Sequence, residues 1–223
     1  MGKNKLARFA ENETFENLFQ IPFSRIQEAK NFFLKGKWRS DFFGNDNPIV
    51  LELGCGKGEY TIGLARRHPE MNFIGIDIKG ARLWRGCKTS NEEKMQNVAF
   101  IRTHIQMLQY YFDTGEVDSI WITFPDPQLK KPNKRLTCER FLKIYEKIIK
   151  PDGLIHLKTD SYELYDFTLN QVLKPLGHNV VYNTDDLYGS GCDSEAVEIQ
   201  TFYESMYLKE GKPITYLTFS LKG

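Results

Sequence analysis

Leu51-Glu52-Leu53-Gly54-Cys55-Gly56-Lys57-Gly58 joins an apolar, β-prone run, Ile49–Leu53, to a helix-compatible segment over 59–67. Glycine lets a backbone turn tightly and come close to a ligand, and a helix that starts at such a turn presents free N–H groups. A dinucleotide fingerprint spaces its glycines G-x-G-x-x-G and places an acid about 20 residues later. Here the spacing is G-x-G-x-G, Glu52 precedes the loop, and Asp77 closes the next apolar run 25 residues after Glu52. A carboxylate in the place of Asp77 accepts both hydroxyls of a ribose and repels a 2′-phosphate. A Rossmann dehydrogenase is the rival reading of this loop, and a bare strand–helix turn without a ligand is the plain structural one.

The pattern around the loop extends in both directions. Apolar runs at Ile49–Leu53, Asn72–Ile76, Val98–Ile101, Val117–Thr123 and Leu154–Lys158 alternate with helix-compatible segments at 59–67, 80–95, 104–112 and 137–149. Strands alternating with helices predict a parallel, doubly wound sheet. Lys150-Pro151-Asp152-Gly153 reads as a turn before the fifth run. The tail adds a helix at about 161–173, a run at His178–Tyr182, a helix at about 199–210 with Gly211 as its C-cap, and a last run, Ile214–Leu221. Ahead of the loop, Ser24 is placed to cap a helix through Leu34, with Ile26, Ala29, Phe33 and Leu34 on one face. Residues 1 to about 20 are polar and weakly periodic, an arm or an ordered cover. The expectation is an α/β fold in one domain over 1–223. It has seven strands, mostly parallel with the last inserted antiparallel, and helices on both faces.

Bulk properties narrow the function classes. The 223 residues are 41% hydrophobic and 13% aromatic, enough for a sizeable core. The net charge of +1 means that any nucleic-acid binding depends on local patches. The four cysteines, Cys55, Cys87, Cys138 and Cys192, form no C-x-x-C pair, so they read as reduced thiols rather than as a metal site. The N-terminus lacks an apolar h-region, and no run of about 18 apolar residues occurs. A cytoplasmic protein without a membrane partner is expected.

The second informative stretch is Phe124-Pro125-Asp126-Pro127-Gln128-Leu129-Lys130-Lys131-Pro132-Asn133-Lys134-Arg135. It follows the run Val117–Thr123, so the Asp126 carboxylate should emerge at a strand's C-terminal end. Prolines on both sides stiffen the loop and remove N–H donors. The cations Lys130, Lys131, Lys134 and Arg135 follow, which places one fixed carboxylate beside a basic segment.

The acid–glycine-loop–acid arrangement resembles class I S-adenosylmethionine-dependent methyltransferases. With the Pro-Asp-Pro stretch, Lys158-Thr159-Asp160 and Thr201-Phe202-Tyr203-Glu204, the chain from about residue 48 onward resembles the bacterial tRNA (guanine-N7-)-methyltransferases. The resemblance implies a Rossmann-like class I fold, S-adenosylmethionine as cofactor and tRNA as partner. It also implies methyl transfer to guanine N7 at position 46 of the variable loop. Carried over by motif, Glu52, Gly54, Gly56, Asp77 and Asp126 lie on the cofactor side, and Asp126 is also the catalytic residue. Lys130, Asp160, Thr201, Phe202, Tyr203 and Glu204 contact the substrate nucleotide. Pro132, Asn133, Lys134, Arg135, Leu136 and Thr137 touch RNA. Three features depart from the family pattern. His104 stands where Asp or Asn usually pairs with the adenine, and imidazole can serve that edge in a suitable tautomer. Gln128 replaces the usual Trp. Pro132, Leu136 and Thr137 interrupt the basic run.

The chemistry suits these residues. Guanine N7 carries no proton, so no general base is needed; the protein must supply position and a field suited to positive charge moving from sulfur to the purine. Asp126 and Asp160 can accept from guanine N–H groups, which excludes adenine. Plain readings stand beside these: Asp160 as a helix N-cap, Thr201 to Glu204 as a capping box, and the lysines as a solvated loop. A small-molecule methyltransferase and a non-catalytic RNA-binding module remain open. No obligatory protein partner is evident, and the chain is read as a monomer or homodimer.

Overall fold

The computed structural model describes residues 3–222. Its helices are α1 (Lys3–Asn12), α2 (Phe23–Ala29), α3 (Glu59–Arg67), α4 (Gly80–Glu92), α5 (Leu108–Tyr111), α6 (Glu139–Tyr145), α7 (Tyr162–Asp166), α8 (Lys174–Leu176), α9 (Glu195–Glu198) and α10 (Phe202–Lys209). Its strands are β1 (Leu18–Phe19), β2 (Ile49–Leu53), β3 (Asn72–Asp77), β4 (Val98–Arg102), β5 (Val117–Thr123), β6 (Ile149–Thr159), β7 (Asn179–Thr184) and β8 (Thr215–Ser220). They form one sheet in the order β1-β4-β3-β2-β5-β6-β8-β7. Seven strands run in one direction, and β8 enters antiparallel between β6 and β7.

Every residue of β2 and β3 is buried, as expected of central parallel strands covered on both faces. Alternate side chains go to opposite layers. Leu51, Leu53, Ile74, Ile76, Ile120 and Ile122 enter one core, and Val50, Phe73, Phe100, Trp121 and Tyr216 enter the other. The second layer also shows what the third glycine of the loop does. A Cβ on Gly58 would lie 2.7 Å from the Phe100 ring, and one on Gly86 of α4 would lie 2.6 Å from it. Phe100 therefore fills a space that side chains at either glycine would close, and it draws the loop, α4 and β4 together. From β2 the chain winds one way through β3 and β4, and β5 starts the other half on the opposite side of β2. The C-terminal ends of β2 and β5 flank this switch point, where open α/β sheets bind ligands.

The structure corrects several boundaries. An eighth strand, the short β1, pairs with β4 at the sheet edge, inside the segment read as an arm. The described part of that segment, from Lys3 on, is an ordered cover: Asn12 Nδ2 donates to the Gly80 carbonyl at 2.9 Å, and Trp84 Nε1 donates to Glu11 at 2.6 Å. α2 starts after Pro22 rather than at a Ser24 cap and ends at Lys30 in the left-handed region. Phe33 is consequently exposed, and Phe32 takes the core position. Residues 150–153 are not a turn ahead of the strand. They bulge within β6, because Ile149 already pairs with Val117 while Leu154 pairs with Ser119. The helix expected over 104–112 is a 3-10 turn, Ile105–Met107, followed by α5. The one expected over 137–149 is only α6, and 161–173 is α7 followed by wider turns up to α8. Gly211, at φ +72°, does close α10.

Candidate active site

Glu52 stands one residue before the end of β2 with its carboxylate buried. Oε2 accepts from the Thr61 amide at 2.8 Å and from the Thr61 hydroxyl, and Oε1 accepts from Thr123 Oγ1 at 2.7 Å. The acid thus ties β2 to the first turn of α3 and to the end of β5. Burial pushes its pKa up to about 7, with the charge of Asp77 adding to the rise and the Thr61 and Thr123 hydrogen bonds opposing it. Asp77 ends β3, where Oδ2 accepts from the Gly56 amide at 2.9 Å and Oδ1 from the Lys79 amide at 2.7 Å. Each of its oxygens keeps a second lone pair. Gly54 and Gly56 have φ of +77° and +56°, and a Cβ on Gly54 would meet nothing within 4 Å. The backbone here is open toward the cleft. These features fit S-adenosylmethionine: a buried carboxylate, Glu52, and a second one at the end of β3, Asp77, flank a stretch of bare glycine backbone.

The Pro-Asp-Pro loop leaves β5 beside this cradle. Phe124 and Gln128, at φ +46° and +47°, bracket it in a conformation that non-glycine residues rarely adopt. Asp126 is exposed, and one oxygen accepts from the Gln128 amide at 3.0 Å, so the carboxylate is held with its other oxygen free. Two adjoining cavities meet here. The larger, about 460 Å³, is lined by Asp77, His104, Asp126, Asn133, Lys134 and Arg140 among others. The smaller is lined by Glu52, Gly56, Lys57, Thr201 and Tyr203 among others. Gly54, Arg82 and Phe124 line both.

Other expected site residues are distributed differently. Lys130 and Asp160 line neither cavity, although Asp160 is half-buried and burial raises its pKa. Ser161 caps α7 by accepting from the Leu164 amide, so Asp160 is not the cap. Phe202 and Tyr203 are exposed, and Lys57 Nζ lies 4.9 Å from the Phe202 ring centre. Glu204 is fully buried. It completes a capping box with Thr201, pairs with Lys158 at 2.6 Å and accepts from the Tyr188 hydroxyl at 2.7 Å, so it holds the segment rather than facing a ligand. Of the segment expected to touch RNA, Pro132, Asn133 and Lys134 are exposed and Leu136 is half-buried. Arg135 and Thr137 are not available to RNA: Arg135 is 2% exposed, and Thr137 shares a buried hydroxyl contact with Thr168.

Sequence reasoning missed Thr61, Thr123, Tyr188 and Arg140. Threonines and tyrosines carry no spacing signal, and their partners arrive from distant elements. Among the described residues no helix is long and apolar enough to cross a membrane.

A family model described as "Putative methyltransferase" matches residues 46–217. A tRNA (guanine-N(7)-)-methyltransferase of Christiangramia forsetii is 56% identical over 99% of each chain. The chain belongs to the tRNA (guanine-N(7)-)-methyltransferase family. A second member, from Porphyromonas gingivalis, is 55% identical over 94% of this chain and 86% of its own. Among solved structures, the 16S rRNA methyltransferase KamB aligns with a TM-score of 0.65 at 15% identity, over 84% of this chain and 92% of its own. A SAM-dependent methyltransferase from Aquifex aeolicus aligns at 0.55 and 15% identity, over 91% of this chain and all of its own. These structural likenesses concern the fold.

Proposed function

We propose that the chain moves a methyl group from S-adenosylmethionine to N7 of guanine 46 in the variable loop of tRNA, in the cytoplasm. The observation that carries this reading is the meeting of two kinds of site at the switch point. The acid pair and open glycine loop lie on one side, and the Asp126 loop, followed by unpaired lysines, lies on the other. When bound, the cofactor supplies an electrophilic methyl on a sulfonium. The N7 lone pair forms the new C–N bond as the C–S bond breaks, positive charge passes to the purine, and no proton moves. Asp126 stabilises that charge, and His104 and Asp77 hold the adenosine. Asp160, Lys130 and the Thr201–Tyr203 segment face the target nucleotide, with the exposed Phe202 and Tyr203 as a surface for a base.

The RNA footprint is narrower than the count of cations suggests. Arg66, Arg67 and Lys88 are paired with Glu93, Glu198 and Glu11. Lys79, Arg82, Lys134 and Arg140 line the larger cavity and have no acidic partner within ion-pair distance among the described residues. With Lys130 and Lys131 they are the phosphate contacts in this reading.

Incubation with bulk tRNA and labelled donor, followed by nucleoside analysis, should yield N7-methylguanosine at position 46. Its absence would end the proposal. At saturating substrates the rate should be nearly flat from about pH 7 to 9, because N7 needs no deprotonation. Donor affinity should behave otherwise. Glu52 has its folded-state pKa raised from 4.5 to about 7, so its contribution to stability is full below 4.5 and is lost as pH rises through 7. A donor ammonium favours the ionised form, so donor binding should strengthen several-fold between about pH 6 and 7.5, below the range where the ammonium itself loses its proton. Calorimetry on Glu52→Gln should show this dependence flattened; an unchanged slope would assign it to another group.

A further inference from the structure

We infer that Arg135 is a positioning residue that holds the Asp126 loop in its reactive geometry, an inference that rests on the function proposed above. The residue is 2% exposed, and Nε, Nη2 and a face of its guanidinium are engaged within the protein. Nε donates to the Pro127 carbonyl at 2.9 Å, Nη2 donates to Glu163 on α7, and the group lies 4.5 Å from the ring centre of Phe167. A cation buried this way is largely withdrawn from an external phosphate.

The loop needs such a tie. Pro125 and Pro127 have no N–H to give, and Phe124 and Gln128 sit in left-handed conformations that persist only where the surroundings hold them. At its entrance the Phe124 amide donates to the Lys158 carbonyl at 2.8 Å, which anchors the loop to the sheet. At its exit the Pro127 carbonyl is anchored by Arg135. Through Glu163 the same guanidinium is fastened to α7, whose cap Ser161 adjoins Asp160. One side chain therefore sets Asp126 in relation to Asp160, the two carboxylates proposed to face the guanine. Lysine is not equivalent, because a point charge on a flexible stem cannot serve a carbonyl, a carboxylate and an aromatic face together.

The test uses the full chain, transcribed tRNA and labelled donor, with turnover expressed per donor-binding molecule. Wild-type protein that forms no N7-methylguanosine fails the functional reading; the present inference fails only against an active wild type. Arg135→Lys should lower kcat by about thirtyfold or more, since small misplacements of reacting groups cost up to about a hundredfold. Its tRNA Kd should stay within about threefold, and the slope of log Kd against log salt should not change. Glu163→Ala, a change at an exposed helix position, should lower kcat less and leave the slope unchanged. Lys134→Ala, the comparator for a phosphate contact, should weaken tRNA binding and reduce the slope by about one. A reduced slope with retained kcat in Arg135→Lys would make it an RNA contact and overturn the inference. If Arg135→Lys does not fold, Glu163→Ala decides, and an unchanged kcat there overturns the inference as well.

Discussion

Asp126→Asn should lower turnover at saturating tRNA and donor by at least about a hundredfold while donor Kd changes less than about twofold. The substitution is nearly isosteric, and an asparagine oxygen can still accept from the Gln128 amide that now holds Asp126 at 3.0 Å. The loop geometry should therefore survive, and only the charge is removed. That charge matters because bound substrates displace water from the cleft, and a fixed carboxylate then acts on the forming purine cation in a lower dielectric. In the proposed function, donor affinity would rest mainly on Glu52, Asp77 and the glycine loop, none of which lies on the Asp126 loop. Single-turnover methylation measured alongside calorimetry separates the two effects. Turnover that survives the change would show that the carboxylate's charge is not used.

Lys158→Met should cost about 3–5 kcal/mol of stability, because it strands the buried carboxylate of Glu204. In a chain of 223 residues this corresponds to a fall in Tm of roughly 10 °C. Both side chains are fully buried, with Nζ 2.6 Å from the Glu204 carboxylate. The ammonium also donates to the Ala196 and Ile199 carbonyls and lies 5.4 Å from the Tyr60 ring centre. Burial pulls its pKa below the ordinary lysine range, against the attraction of Glu204. The pair fastens the 187–204 segment to the end of β6, so Thr201 and Tyr203 should loosen and turnover should fall as well. Thermal unfolding checks the prediction, and an unshifted Tm would contradict it. Lys158→Met/Glu204→Leu should recover most of the loss, since apolar replacement of both partners removes the unpaired charge.

Local chemistry made much of the fold legible. Apart from the start of β6, apolar runs a few residues long and bounded by turn residues became strands within a residue or two, because burial on both faces demands that composition. Boundaries failed where tertiary pairing overrode local preference. Lys150-Pro151-Asp152-Gly153 looks like a stop, yet the sheet carries it as a bulge. Phe33 looks like core until Lys30 ends α2 early and turns Phe32 inward.

The site divides in the same way. The glycine loop, Glu52, Asp77 and the stiff Pro-Asp-Pro loop could be placed from the sequence, because a strand end followed by glycine or proline leaves its carboxylate one place to go. Which neighbours those groups meet could not. Arg135 and Lys134 are adjacent and equally cationic, and Thr201 and Glu204 share one helical turn. One of each pair is buried against partners far away in sequence: Glu163 and Phe167 for Arg135, and Lys158 and Tyr188 for Glu204. The amino-acid order alone determined the fold class and the placement of the glycine loop, its two acids and the Pro-Asp-Pro loop, all of which rest on local backbone chemistry. Only the packed molecule decided which charges remain unpaired and which are consumed in holding the loops, because burial and pairing are properties of what distant segments bring.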